Sequence, residues 1–273
     1  MMKRTLALLL AALMLFAFTA CSNEDDSITE DPVININIQA QTYTDSHGDT
    51  FTYEHLNSTT VAITGFSGAD TPHVVTIPAT IIQTIEKEGG QTEKIEKQVV
   101  AISDSAFFAY SNISDIKCEA QLETIGRYAF AYCEALKTVE LPDSLKTIGD
   151  GAFYNCSSLI SCDLGTGVTE LGNQAFANCA VLPTMTFPAS LQTVGAYAFA
   201  ECAALTAIEF PEGLTTLGTQ AFYNCTAVER LVLPASLTEI GDWAFNPVVR
   251  TLPDEAITVV EGSVAAQHID QFR

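Results

Sequence analysis

Phenylalanine stands at Phe107, Phe130, Phe153, Phe176, Phe199, Phe222 and Phe245, always 23 residues after the one before. A fixed period of this length predicts a stacked solenoid, in which each unit buries its apolar face only against its neighbours. The alternative of one compact globule gives no reason for so regular a spacing.

The unit Ile125 to Thr147, IGRYAFAYCEALKTVELPDSLKT, serves as the reference, with Ile125 in column one. Later units begin at Ile148, Leu171, Val194, Leu217 and Ile240, and a weaker one at Ile102, giving six full units and a partial seventh. Column two is Gly126, Gly149, Gly172, Gly195, Gly218 and Gly241, which suits a place where a Cβ would clash or φ must be positive. Column three holds Asp104, Asp150, Asn173, Thr219 and Asp242, side chains able to cap a following helical turn. Ala152, Phe153 and Cys156 then fall at helical spacing. In columns fourteen to seventeen, Val139 and Leu141 alternate with Thr138 and Glu140, the period of a half-buried strand. Pro142, Pro188, Pro211 and Pro234 end that strand, because proline brings no amide hydrogen to a ladder.

The resulting pattern, LxxVxLPxSLxxIGxxAFxxC from Ile102 to Asn246, resembles the BspA-like leucine-rich repeats of bacterial surface proteins, the 23-residue Treponema pallidum type. The resemblance implies an α/β repeat solenoid: a right-handed array with short parallel strands on one face and short helical turns on the other. It also implies a role in adhesion or protein contact.

The ends of the chain read differently. Lys3 and Arg4, an apolar run from Leu6 to Phe18 and then Thr19-Ala20-Cys21 mark residues 1–20 as a signal peptide, the run being shorter than the about 20 residues of a membrane span. Cys21 resembles the lipidated first residue of bacterial lipoproteins. Residues 21–32 form an acidic tether, and its acids resemble the surface-export signal of Bacteroidota lipoproteins. The expected address is the outer membrane, exposed to the outside. Residues 33–101 read as a β-rich N-terminal cap: Ile34, Ile36 and Ile38 alternate with polar residues, and a charged hairpin turns at Gly89-Gly90. Repeats fill 102–246. Residues 247–273 form a C-terminal cap with a strand near Ile257 to Val260 and a short helix from Ser263 to Phe272.

Several chemistries are set aside. The formal charge is −21, with 33 acidic against 12 basic residues, and none of the basic ones lies between Lys146 and Arg230. No row of cations is there to follow phosphates, so nucleic acid is excluded as a partner. Cys133, Cys156, Cys179, Cys202 and Cys225 share one column and read as buried thiols that fill the core, since zinc sites need close pairs. His47, His55, His73 and His268 all lie in the caps, so no Cys-His or Ser-His pair forms within the repeats. The chain is read as a binder without catalytic residues, cofactor or metal.

Function is left to the outward strand columns: Lys117, Glu140, Asp163, Thr186, Glu209 and Val232, with Thr138, Ser161, Thr184 and Arg230 beside them. Glu140 and Asp163 face each other as like charges, yet two carboxylates fall short of the six to eight oxygens of a calcium site. The expected partner is an extracellular protein, on the host or on another cell. Glycan capture and a structural spacer are the alternatives. The membrane is reached through the lipid anchor alone.

Overall fold

The structure is a computed structural model that describes residues 41–87 and 89–272. The signal peptide, Cys21, the tether and the Ile34 to Ile38 alternation lie outside the described residues.

Three antiparallel strands open it, β1 (Gln41–Thr44), β2 (Thr50–His55) and β3 (Thr60–Ser67). After β4 (His73–Ile77), a hairpin of β5 (Thr80–Glu86) and β6 (Thr92–Ile102) turns through Gly89 and Gly90, both at positive φ. From there two kinds of strand share the coils. On one face lie β7 (Ile113–Cys118), β9 (Thr138–Glu140), β11 (Ser161–Asp163), β14 (Ala207–Glu209) and β16 (Arg230–Val232). On a second lie two-residue strands: β8 (Thr124–Ile125), β10 (Thr147–Ile148), β12 (Glu170–Leu171), β13 (Thr193–Val194), β15 (Thr216–Leu217) and β17 (Glu239–Ile240). Within each face, paired strands are parallel and in register one repeat apart, as in Thr147↔Glu170 and Thr138↔Ser161. The chain closes with α1 (Val248–Thr251), β18 (Ile257–Thr258) beside β16, and α2 (Val264–Phe272), which buries Ala265 and Ile269.

The phenylalanine column is the core. All seven rings are at most 1% exposed, and successive centroids lie 4.8 to 5.9 Å apart with planes within 18° of parallel. Phe66 and Phe51 continue the aromatic contact into the N-terminal strands. Beside the spine, each column cysteine points its Sγ at the carbonyl of the Phe 26 residues earlier, for example Cys156 to Phe130 at 3.2 Å. Burial raises these thiols, Cys133 and Cys225 to about 12, and no disulfide joins any described cysteine.

The third side of each coil departs from the expectation of short helical turns, and the architecture is a β-solenoid of about seven turns. Column four (Ser105, Tyr128, Gly151, Gln174, Tyr197, Gln220, Trp243) and column eight (Ala109, Tyr132, Asn155, Asn178, Glu201, Asn224) have φ between 53° and 63°. A left-handed residue every fourth position stops a right-handed helix from starting. Amides divide their partners instead. Phe130 and Tyr132 donate to Ala152 and Tyr154 in the next coil at 2.7 and 2.8 Å, while Ala131 and Cys133 donate locally to Tyr128 and Phe130. Half the turn amides therefore tie coil to coil, which offsets the cost of about 1–2 kcal/mol per left-handed residue.

Two columns acquire a corrected role. The column-three side chains cap no helix: Asp104, Asp150 and Asn173 accept from the amides of Arg127, Asn173 and Ala196, 23 residues on, at 2.6 to 2.8 Å. The column-two glycines are required by close approach, since a Cβ on Gly126 would stand 2.6 Å from the Asp104 amide nitrogen. Positive φ falls instead two positions later, mostly on larger residues such as Tyr128 and Gln174.

Candidate binding face

The outward strand positions are placed by their ladders. Pairing Val139 with Ile116 and Cys162 inward leaves Thr138, Glu140, Ser161 and Asp163 on the outer side. Lys117 sits opposite Thr76 of β4. In the second half of the array, Ala207 faces Arg230 and Glu209 faces Val232. Lys117, Glu140, Ser161, Asp163, Thr184, Thr186, Glu209 and Arg230 are exposed, whereas Thr138 and Val232 are half-buried.

This face is split, contrary to the expected continuous sheet. Thr184 to Thr186 belong to no strand, so the ladder stops at β11 and resumes at β14. Pro183 accounts for the gap. It occupies the column in which Ile160 donates to Lys137 at 2.9 Å and Thr206 donates to Pro183 at 3.0 Å, and it has no hydrogen to donate in turn. Bulk adds to the effect. Phe187, following this stretch, packs edge-on against Phe199 at 5.5 Å and tilted by 35° against Phe210 at 4.8 Å. Thr184 and Thr186 stay exposed over buried Met185, without a ladder on either side.

Charge divides the face in the same way. In the first half, the Asp115 carboxyl is held below its ordinary range by hydrogen bonds from Thr138 and Ser114. Glu140 and Asp163 are register partners with no ion pair among the described residues, and Asp163 accepts the Gly165 amide at 3.0 Å. No group of three or more metal-ligating side chains occurs among the described residues. In the second half, Arg230 Nε meets Glu209 Oε1 at 3.0 Å, an exposed pair worth about 0.2–1 kcal/mol. One half sets Lys117 beside a run of acid and hydroxyl; the other carries a balanced pair beside Val232.

The histidines are not among the outward positions, although His73 opens β4, which pairs with β7 at the edge of this face. His73 Nε2 lies 3.1 Å from Asp49 Oδ1, whose carboxyl burial pushes up, and His55 meets Gln41 at 2.8 Å, both within the N-terminal strands. His268 is on α2. A group of aromatic side chains on the turn side escaped the column reading: Phe108, Tyr132 and Tyr154 lie 5.5 and 5.4 Å apart across three coils. They alternate between columns seven and eight, so no single column displays them.

The profile of the BspA type leucine rich repeat region matches residues 91–203 and 169–251 in six copies. A leucine-rich repeat protein from Bacteroides ovatus is 29% identical, with a TM-score of 0.62 over 71% of this chain and 49% of its own. A leucine rich cell surface protein from Faecalibacterium prausnitzii is also 29% identical, with a TM-score of 0.62 over 76% of this chain and 52% of its own. The chain thus spans about half the length of these two proteins. The Treponema pallidum leucine rich repeat protein shares the fold at 23% identity and a TM-score of 0.64, over 81% of this chain and 92% of its own. No curated protein sequence matches the chain.

Proposed function

The chain belongs to the BspA-type leucine-rich-repeat proteins, and on that premise we propose that it is a cell-surface binding protein whose strand face contacts another protein. The reading rests on one contrast. Inward columns hold the same residue types in coil after coil, while the outward ones change from Lys117 to Glu140, Asp163, Thr186, Glu209 and Val232. Stacking explains constancy; it leaves the outward variation free for recognition. The partner is an extracellular protein of a host matrix or another cell, and the result of contact is adhesion without catalysis.

The chain reaches the surface as an outer-membrane lipoprotein held by a lipid on Cys21. Lys3 and Arg4 before the Leu6 to Phe18 run support that address, as does the F. prausnitzii relative named a cell surface protein. An acidic surface with no basic residue from 147 to 229 speaks against nucleic acid. The test is attachment of cells carrying the chain to immobilised matrix proteins, with and without residues 102–246. Loss of attachment on deletion supports the proposal; attachment that persists removes it.

A further inference from the structure

We propose that β4 receives a strand from the partner protein, an extended basic segment that lengthens the sheet β11-β9-β7-β4 at its open end. The proposal rests on the strand face being a protein contact and names the segment that it takes. Among the described residues β4 pairs with β7 alone. His73 donates its amide to Asn112 at 3.0 Å and Ile77 accepts from Glu119 at 3.0 Å, so His73, Val75 and Ile77 turn their backbone groups towards β7. Val74 and Thr76 turn theirs away, and those two N–H and two C=O groups form no hydrogen bond among the described residues.

Donors and acceptors alternating at strand spacing are matched by the backbone of another extended chain, which adds to the sheet as its next strand. Folded proteins blunt such edges with charge, proline or shortness. The segment HVVTI of β4 holds no Lys, acid or Pro over its five residues, and Val74 stands 47% exposed on its outer side. The strands at other ends of the face are shorter, three residues in β11 and two in β18. The longer edge strand β5 is already approached by β1, since Gln41 accepts from Gln83 at 3.4 Å.

Charge selects the segment. Residues 41–80 hold Asp45, Asp49, Glu54 and Asp70 and no Lys or Arg, and Asp115 is the register partner of Val74. Lys117, opposite Thr76, is the one Lys or Arg on β4 and β7. A strand in which Lys or Arg alternates with apolar residues is attracted to this region and can set an apolar side chain beside Val74. A second copy of a chain with formal charge −21 is repelled from it.

The experiment follows the fluorescence anisotropy of a capped, labelled peptide of alternating Lys and Val on titration with the full-length chain. Its fully N-methylated form and an alternating Glu-Val peptide are the comparisons. The Lys-Val peptide should bind, and the other two at least tenfold more weakly. Thr76→Pro removes an outward amide and leaves the pairing with β7, so it should weaken binding at least tenfold with the melting temperature kept. The N-methylated peptide probes the same bonds without altering the chain. No binding of the Lys-Val peptide, equal binding of either comparison peptide, or equal binding by Thr76→Pro overturns the proposal. A dimer of the unaltered chain that Thr76→Pro dissolves in sedimentation would give the edge to a second copy and overturn it as well. Peptide binding reads this edge alone, while cell attachment with residues 102–246 deleted reads the rest of the face, so each can fail without the other.

Discussion

Phe176→Ala probes the spine at its middle. The ring is fully buried between Phe153 at 5.0 Å and Phe199 at 5.3 Å, with planes within 10° of both. Truncation leaves a cavity in a close-packed column and removes two stacking contacts, a loss of about 3–5 kcal/mol. For a chain of this size each kcal/mol lowers the melting temperature by about 2–4 °C, so a fall of about 6–20 °C is expected. Thr186→Ala is the reference: the side chain is exposed and the change should stay within about 0.5 kcal/mol. A solenoid holds together through nearest-neighbour interfaces, so the Phe176 variant should also split its transition into two, one on each side of the weakened coil. Circular dichroism melts and calorimetry of the full-length chain measure both effects. Equal melting temperatures for the two variants would refute the spine as the source of stability.

Three further outcomes follow from the coil geometry. Gly172→Ala places a Cβ 2.6 Å from the Asp150 amide nitrogen and should cost about 1–3 kcal/mol in denaturant titration; an unchanged midpoint contradicts close approach as the reason for glycine. Amides of Thr184 to Phe187 should exchange hydrogen faster than those of β11 and β14 in mass spectrometry, because the ladder is open there; equal protection means that it is closed. Burial raises the column thiols, so the reactive thiolate is scarce until the pH approaches about 12 for Cys133 and Cys225. Iodoacetamide at pH 8 should therefore leave all five unmodified in the native chain and modify all five in denaturant, and native labelling of any of them opposes the assignment.

The repeat was legible because its cause is local and repeated. Phe153, Gly149 and Pro142 each have one steric reason to recur, and each recurs. The turn was not legible. Ala152, Phe153 and Cys156 have the same spacing in a helix as in consecutive tight turns, and the left-handed φ that decides between them falls on Tyr128, Gln174 and Glu201, which do not advertise it. Asn155, Asn178 and Asn224 in column eight were the available signal, since asparagine tolerates that region better than most residues. The gap in the strand face was written in the chain as Pro183, one residue before the strand column. It is the opposite of Pro142, which ends a strand where one should end. The turn-side aromatic cluster stayed hidden because Phe108, Tyr132 and Tyr154 meet across columns, and only the path of the coil brings them together.

The division between inward stability and outward recognition is tested most directly by changing Glu140, Asp163, Glu209 and Arg230 to Ser together and measuring attachment of cells that carry the chain to immobilised matrix proteins. All four side chains are exposed, so the melting temperature should hold. The account predicts at least a tenfold loss of attachment with the fold intact. Attachment equal to that of the unaltered chain would contradict it.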